Sequence, residues 1–287
     1  MPTTDHPIER FDAPRAITAG QPLADLFDRR LARLIGESFH AVDAGFDAAR
    51  FARRASRDLD GLSMSERNAR FADALAEQLP DDFAAASRLL VAALGPERPL
   101  DDDRGLRCFF YMPHATFVAT RGADPVTGDF DAGMAANLEI TKRFTAEFSV
   151  RPFLERHQRR ALALLKKWTR DSDAHVRRLC SEGTRPRLPW ASRLSALQAD
   201  PELAAPLLHA LRDDPELYVR RSVANHLGDV CKDHPEWVYA LCRAWLEEVD
   251  GGDAERAKNR RWMVRHAVRH PAKKGTAAAL ELRRLAK

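Results

Sequence analysis

Apolar residues recur at three- and four-residue steps along most of the chain, which is the periodicity of amphipathic helices. The first such pattern begins at Leu23 and continues to Ile35, and it places the apolar side chains on one helix face. The same periodicity predicts further helices over 46–59, 63–79 and 82–94. No sustained alternation of β-branched residues occurs, so the pattern predicts an all-α protein.

Polar residues at the ends of these segments support the predicted helix boundaries. Ser63 followed by Glu66 has the spacing of a capping box, which predicts that a helix starts here. The run Pro80-Asp81-Asp82 predicts a joint between two helices, and Gly95-Pro96 ends the next one. We therefore expect short connections between the helices of this half of the chain.

The second half of the chain contains an internal repeat. Residues 168–179 align with residues 211–222, so that Val176 corresponds to Val219, and a third copy begins at Val264. Spacings of roughly 40–47 residues with two helices each are the period of HEAT-like repeats. The repeat predicts an α-solenoid whose second helices, each preceded by an N-capping Asp, line a concave groove.

The distribution of charge divides the chain into an acidic and a basic part. Residues 1–140 hold 16 Lys and Arg against 23 Asp and Glu, a net charge of −7, whereas residues 141–287 hold 30 against 19, a net charge of +11. This asymmetry favours a polyanionic partner for the second part, although chance clustering of solvated charge would give the same sums.

The domain organisation follows from the repeat and the charge. Residues 1–20 are interrupted by prolines and lack apolar periodicity, so we predict a flexible lead-in there. We predict one HEAT-like repeat domain over 21–287, in which 21–140 form acidic N-terminal helices and 141–287 form the basic repeats.

Composition excludes several classes of protein. A chain of 287 residues that is 45% hydrophobic and 31% charged can bury a core and is not wholly disordered. No apolar run approaches the roughly 18 residues of a membrane span, and the N-terminus lacks the apolar core of a signal peptide. The four cysteines have no CxxC spacing, which argues against disulfides and zinc. We predict a cytoplasmic protein with reduced thiols and no metal.

The repeat register places candidate site residues on one surface. Glu182 lies 43 residues before Asn225, and Asp229 lies one helical turn after Asn225. Arg178 and Arg221 each precede these repeat positions by four residues and share their helix faces. The predicted groove thus carries carboxylates, a carboxamide and arginines, although the same pattern would also suit a solvated face with supporting Arg–Glu pairs.

Basic and aromatic residues follow Glu182 and continue into the tail. Arg185, Arg187 and Trp190 lie in a proline-stiffened loop, where the arginines suit phosphate and Trp190 could stack on a base or fill a gap between repeats. The tail adds cations that we expect to follow a duplex backbone: Lys258, Arg260, Arg261, Arg265, Arg269, Lys273 and Lys274.

A further carboxylate lies upstream of the repeats. Ile140, Phe144 and Phe148 form an apolar stripe, and Glu147 lies one predicted helical turn before Arg151. Because Arg151 precedes Pro152, the helix should bend or stop there. Glu147 is therefore either a solvated ion-pair member or an oriented catalytic group.

Three motifs resemble the AlkC branch of the HEAT-like alkylpurine DNA glycosylases: RFTAEFSVRPF at 143–153, VRRLCSEGTRPRLPW at 176–190 and VRRSVANHLGDVCKDHP at 219–235. The resemblance extends to the Phe-Tyr-Met-Pro-His run at 110–114 and covers the chain from about residue 21. It implies a HEAT-like fold and a monofunctional glycosylase that excises N-alkylated bases such as 3-methyladenine from double-stranded DNA, as a monomer and without a cofactor.

The same resemblance assigns roles to residues of this chain. It implies that Glu147 and Glu182 are acidic site residues, with Asp229, Arg178 and Trp190 in the matching stretches. Some members continue into an immunoglobulin-like domain, whereas this sequence ends at Lys287 after its last predicted helix, so we expect the charged tail to substitute for it.

Two other functions compete with this interpretation. A lyase acting on oxidised bases is disfavoured because no lysine lies on the predicted acidic face to form a Schiff base. A non-catalytic HEAT-like module that binds nucleic acid or a protein would keep the repeat and the basic tail, and would leave Glu182, Asn225 and Asp229 as surface residues. From the repeat and charge alone, without the resemblance, this module is the favoured interpretation.

Overall fold

The structure is a computed structural model that describes residues 6–102, 105–249 and 253–287. All regular elements within these ranges are helical and none is a strand, which confirms the predicted all-α class. The chain divides into two compact units, the first ending at Arg156 and the second running from His157 to Lys287. No described helix combines the length and the apolar character needed to cross a membrane.

The first unit begins with short helical turns and continues with helices in an order that matches the sequence pattern. Pro7–Arg10, Leu23–Leu26 and Gly105–Tyr111 are 3-10 helices, and Val118–Gly122 is a π-helical turn. The α-helices are α1 (Arg29–His40), α2 (Ala48–Ala55), α3 (Met64–Ala76), α4 (Phe83–Ala92), α5 (Met112–Phe117), α6 (Phe130–Thr141) and α7 (Arg151–Arg156).

Capping explains where the first helices start. The predicted capping box is confirmed, since the Ser63 side chain accepts from the Glu66 backbone N–H and the Glu66 carboxylate accepts from the Ser63 backbone N–H. The helix predicted from Leu23 starts later than expected, because Asp28 accepts a hydrogen bond from Leu31 N at 2.8 Å and caps α1.

The part of the predicted lead-in that the structure describes is partly packed. Ile8 and Phe11 are buried beside the 3-10 helix Pro7–Arg10, and the Phe11 ring lies 6.2 Å from the Phe110 ring. Residues 1–5 lie outside the described residues. The apolar side chains at 8 and 11 therefore attach this segment to the first unit, which proline interruptions alone did not indicate.

The second unit consists of paired helices, and the second members of successive pairs pack side by side as α9, α12 and α14. Its elements are α8 (Gln158–Trp168), α9 (Ala174–Glu182), α10 (Ser195–Ala199), the 3-10 turn Pro201–Leu203, α11 (Ala205–Leu211), α12 (Leu217–Val230), α13 (Pro235–Glu247), α14 (Ala254–Ala267), α15 (Arg269–Lys273) and α16 (Ala277–Leu285).

The repeat is visible in equivalent hydrogen bonds. Arg177 donates through Nη1 to the carbonyl oxygens of Asp171 and its successor, both at 2.9 Å. Arg220, its counterpart 43 residues later, donates in the same way to Asp214 and its successor at 2.5 and 2.7 Å. Each arginine thus holds the turn before its own helix, and this confirms the first two copies of the repeat.

The predicted third copy is out of register. Helices α9 and α12 begin two residues before Val176 and Val219, whereas α14 begins at Ala254, well before Val264. The match at Val264 therefore falls near the end of a helix and does not mark a helix start. The N-cap prediction also holds only in part, since Asp173 caps α9 but the cap of α12 is Glu216, without a side-chain bond.

Candidate active site

The centre of the candidate site is the carboxylate of Glu182 at the end of α9, where the residue is only 6% exposed. Its Oε1 accepts from Arg185 Nη1 at 2.6 Å, and Arg178 Nη2 lies 3.4 Å from the same oxygen. Its Oε2 accepts from Ser222 Oγ of α12 at 2.5 Å. Both oxygens are therefore held by donors from two repeats.

The loop geometry that brings Arg185 back to Glu182 begins where α9 ends. The Thr184 hydroxyl donates to the Cys180 carbonyl oxygen at 2.8 Å and is fully buried, which satisfies a carbonyl in the last helical turn. The backbone N–H of Arg185 donates to the Glu182 carbonyl oxygen at 3.2 Å. This tight turn directs the guanidinium across the helix end.

A second buried carboxylate, Asp229 of α12, is joined to the first through Arg185. Arg185 Nε donates to Asp229 Oδ2 at 2.8 Å, and Lys232 Nζ donates to Asp229 Oδ1 at 2.9 Å. Asp229 is 4% exposed and Arg185 9% exposed. The structure therefore places Arg185 between the two carboxylates, and not on an open loop as we expected.

The arrangement keeps this site ionised. Burial alone would raise the pKa of the Glu182 carboxyl, but the charges of Arg178 and Arg185 and the hydrogen bonds from Ser222 and Arg185 outweigh it and hold the pKa below its ordinary value. Burial alone would lower the pKa of the Arg185 guanidinium, whereas Glu182 and Asp229 raise it. Glu182 is thus an anion in a largely desolvated position.

An aromatic side chain that the sequence reasoning missed supports Arg178. The Arg178 guanidinium lies 5.3 Å from the centre of the Tyr218 ring, a distance at which the ring face attracts a cation. Tyr218 is in turn edge-on to His175, with ring centres 5.4 Å apart. Tyr218 directly precedes the repeat residue Val219, but its position alone carried no signal.

The loop after Arg185 presents one arginine and one tryptophan. Arg187 forms a two-point ion pair with Asp233, at 2.7 and 2.5 Å. Trp190 is 90% exposed, so it does not fill a gap between repeats. Its φ of 64° lies in the left-handed region, which a bulky residue adopts only at an energetic cost.

Asn225 lies on α12 one turn before Asp229 and is half-buried. Its Oδ1 is 3.1 Å from His266 Nε2 and 3.1 Å from Arg269 Nη2. The predicted site residue thus contacts the end of α14 and the start of α15, and Arg221, one turn before it on α12, is exposed.

The basic tail is only partly available to a ligand. Lys258, Lys273 and Lys274 are exposed, whereas Arg261 and Arg265 are half-buried, and Arg265 donates to the carbonyl oxygen of Ala286. The prediction was wrong for Arg260, which is fully buried. Its Nη2 contacts both carboxylate oxygens of Asp213 at 2.6 Å, so it is an internal ion-pair member.

The first unit holds Glu147 and Arg151. The helix predicted through this segment is absent: α6 ends at Thr141 and α7 begins at Arg151, so Glu147 lies in the intervening turns. Thr145 Oγ1 donates to Glu147 Oε2 at 3.0 Å and accepts from the Glu147 backbone N–H at 3.2 Å. Arg151 is 2% exposed, since it packs at the start of α7.

Ser222 and Lys232 are further members of the site that the sequence reasoning missed. Ser222 is separated from Glu182 by 40 residues, and Lys232 follows Asp229 by three. The repeat register carried a usable signal for Ser222, because 43 residues separate it from Leu179, which lies three before Glu182 on the same face. Lys232 lies beyond the end of α12 and had no such signal.

A family model described as DNA alkylation repair enzyme matches residues 143–270. The uncharacterized protein YhaZ of Bacillus subtilis strain 168 is 33% identical over 264 residues, which are 91% of this chain and 68% of YhaZ.

A solved structure is similar as well. Pseudomonas fluorescens alkylpurine DNA glycosylase AlkC, bound to DNA containing an abasic site analog, aligns with a TM-score of 0.79 and 39% sequence identity. The alignment covers 92% of this chain and 68% of that protein. The HEAT-like repeat fold predicted from the sequence is thereby confirmed.

Proposed function

Since this chain belongs to the DNA alkylation repair enzymes, in the AlkC branch, we propose that it is a monofunctional DNA glycosylase acting on cationic N-alkylated bases such as 3-methyladenine in duplex DNA. The observation that carries the proposal is the pair of buried carboxylates, Glu182 and Asp229, bridged by Arg185. Such a pair is suited to the charge that develops on a sugar as its base departs.

The proposed reaction is a hydrolysis. A base alkylated at N3 carries a positive charge, so the glycosidic bond breaks with its electron pair passing to the base, which leaves neutral and needs no general acid. The sugar acquires oxocarbenium character at C1′, and a water molecule adds there and releases a proton. For this chemistry we propose no metal or other cofactor.

The carboxylates supply the electrostatic part of this reaction. Because the pKa of Glu182 is held below its ordinary value, it is an anion at neutral pH and can stabilise the cationic sugar. We propose the same role for Asp229, and we propose that Glu147 of the first unit is also a catalytic residue, as the resemblance implies. Arg185, which contacts both buried carboxylates, positions them.

The exposed side chains supply contacts to DNA. Trp190 offers an accessible ring face, which attracts a cationic base more strongly than a neutral one. We propose that Arg178, Arg187, Arg221 and Asn225 also bind DNA. Arg151 of the first unit is 2% exposed and is therefore not included. The tail cations complete the proposed interface: Lys258, Arg261, Arg265, Lys273 and Lys274.

The test is base release from methylated duplex DNA in single-turnover reactions. We expect the wild-type chain to release 3-methyladenine and leave abasic sites, and we expect Glu147→Gln and Glu182→Gln to lose most of this activity while duplex binding survives. Glu281→Gln is the matched control, because Glu281 forms an ion pair with Arg243 on α13 and contacts neither Glu182 nor Asp229.

Two results would contradict the proposal. Equal rates for wild type, Glu147→Gln and Glu182→Gln would remove the carboxylates from the mechanism. Duplex binding without release of any alkylated base would instead favour the non-catalytic module. Steep weakening of binding with salt is expected for either DNA-binding function, whereas a protein scaffold that packs on apolar residues would change little.

A further inference from the structure

We infer that the Asn225 carboxamide is a fixed hydrogen-bond donor to a phosphate oxygen of duplex DNA, and that His266 and Arg269 are positioning residues that set its orientation. The inference rests on the proposed function, because it requires a DNA ligand. To the proposed function, the inference adds the atom that makes the contact, the chemical group that it contacts and the residues that hold the donor.

The orientation of the carboxamide follows from its neighbours. Arg269 Nη2 lies 3.1 Å from the atom assigned as Asn225 Oδ1, and a guanidinium can only donate hydrogen bonds. The atom beside it must therefore be the oxygen. His266 Nε2 lies 3.1 Å from the same oxygen, so two donors occupy its two lone pairs and the NH2 group is directed away from both.

The histidine is itself held in one form. Because Asn225 Oδ1 can only accept, His266 must carry its proton on Nε2. Its ring stacks on Trp262, with centres 5.0 Å apart and planes 18° from parallel. Burial lowers the pKa of His266 to about 4, and the nearby charges of Arg269 and Arg221 act in the same direction. The ring therefore stays neutral, and the contact is unchanged at neutral pH.

The arginine is also fixed at its second nitrogen. Arg269 Nη1 donates to the carbonyl oxygen of His266 at 2.7 Å, so its guanidinium spans the backbone of α14 and the Asn225 side chain. The oxygen of Asn225 is thus bound from two directions by groups that are themselves constrained.

The opposite side of the carboxamide is available to a ligand. Asn225 Nδ2 makes no hydrogen bond to any residue in the described part of the chain, and it is not one of the buried unsatisfied polar atoms. Asn225 is half-buried. Because His266 and Arg269 already hold the carboxamide through its oxygen, the Nδ2 donor loses little conformational freedom when it binds a ligand, and this favours affinity.

The surrounding charge favours an anionic acceptor. Arg221 is exposed one helical turn before Asn225. Burial lowers the pKa of Arg269, and Arg185 and Asp229 lie close enough to affect that pKa as well. The donor therefore adjoins the candidate active site and is flanked by cations. Side-chain amides and arginines commonly fix the register of a duplex through its phosphates.

The test uses the full chain and two duplexes of unrelated sequence, each holding the same abasic-site analogue. Asn225→Asp keeps an acceptor for His266 and Arg269 but removes the outward donor, and Asn225→Leu removes it without adding charge. We expect Asn225→Leu to raise Kd about tenfold, as for one lost hydrogen bond to a charged group, and Asn225→Asp to raise it further. The Tm of Asn225→Asp should not fall.

Asn259→Asp is the matched control. The Asn259 Oδ1 also accepts from an arginine, Arg220 Nη2 at 3.1 Å, but at the opposite end of α12 from Asp229. The substitution adds the same charge to the same pair of helices, and we expect it to change Kd less than about twofold.

The positioning role has its own readout. If His266 acts through Asn225, then His266→Phe weakens duplex binding in the wild-type background and has no further effect on Kd in the Asn225→Leu background. A histidine that only supports the packing of α14 would weaken binding equally in both, and this outcome would overturn its assignment.

The remaining outcomes separate the inference from the proposed function. Normal binding by both Asn225 variants would overturn the inference while the wild type still released alkylated bases. Losses that differ between the two duplex sequences would assign the contact to a base edge and overturn the phosphate. A wild-type chain that binds neither duplex would overturn the proposed function and the inference with it.

Discussion

Replacing Arg185 with methionine tests whether one guanidinium holds the candidate active site together. The substitution leaves Glu182 and Asp229 buried, at 6% and 4% exposure, without the donor that they share. Two charge-assisted hydrogen bonds, of 2.6 and 2.8 Å, are lost. Removing one member of a buried ion pair costs about 3–5 kcal/mol, because the remaining charge is uncompensated.

The same loop provides a control for this perturbation. Arg187→Met removes an arginine that makes a two-point ion pair with Asp233 but lies at the surface, where such pairs stabilise little. Urea unfolding of both variants at pH 7 gives the free energies of unfolding. We expect a large loss for Arg185→Met and almost none for Arg187→Met.

The pH dependence supplies an independent check. In the wild type the pKa of Glu182 is below its ordinary value, so its contribution to stability is present above the unfolded pKa of about 4.5 and is lost as the pH falls. Without Arg185, burial dominates and raises that pKa, so protonation at lower pH relieves the variant. The destabilisation should therefore be smaller at pH 5 than at pH 7. A cost below about 1 kcal/mol, or one that is equal for the two arginines, would refute this reasoning.

Three further predictions concern packing within the first or the second unit. His114 is fully buried and burial lowers its pKa to about 3, so the free energy of unfolding should fall below pH 6.5 by up to about 1.4 kcal/mol per pH unit. His114→Phe should flatten this fall in urea unfolding, and an unchanged slope would exclude His114 as its source. A Cβ at Gly133 would lie 2.3 Å from the Phe153 ring, so Gly133→Ala should lower the free energy of unfolding by about 1–3 kcal/mol. Adding Phe153→Leu should restore part of that loss, and an undiminished Tm in the single variant would argue against this contact. Asp213→Asn removes the charge opposite the fully buried Arg260 and should cost about 3 kcal/mol by thermal or urea unfolding. A loss within error would mean that the contacts of Arg260 with Glu248 and the Trp245 carbonyl oxygen are sufficient.

The helical architecture could be predicted because its determinants are local. Apolar spacing of three and four residues, the Ser63–Glu66 cap and the 43-residue repeat each act within one or two helices. The repeated pair Arg177 and Arg220 shows why the alignment worked, since each holds the turn that starts its own helix. A repeat in sequence here reflects a repeated set of hydrogen bonds.

The boundaries that failed depend on contacts that no short pattern reveals. The residues at Val264 are similar in sequence to the repeat but lie late in α14. The reason is that the preceding connection and helix differ in length from those of the first two copies. The helix expected through Glu147 does not form, since the chain turns between α6 and α7. In both places the residue pattern was compatible with a helix that the folded chain does not form at that position.

The candidate site could be predicted by residue but not by arrangement. Register placed Glu182 and Asp229 on one surface, and the structure joins them through Arg185. An arginine in a proline-rich loop suggested a phosphate ligand, whereas its side chain folds inward to 9% exposure. The direction of a long side chain depends on the turn that carries it, here the turn after α9, and composition does not report that direction.

The excision assay on duplex DNA containing 3-methyladenine is the most direct test of whether Glu182 acts in release of the base. Free base and abasic sites are measured in single turnover for the wild type, for Glu182→Gln and for the Glu281→Gln control, with duplex binding measured in parallel. We expect release by the wild type and the control, and loss of most release by Glu182→Gln with binding retained. Absence of release by the wild type would exclude the proposed glycosylase, and equal release by all three proteins would exclude Glu182 from the reaction.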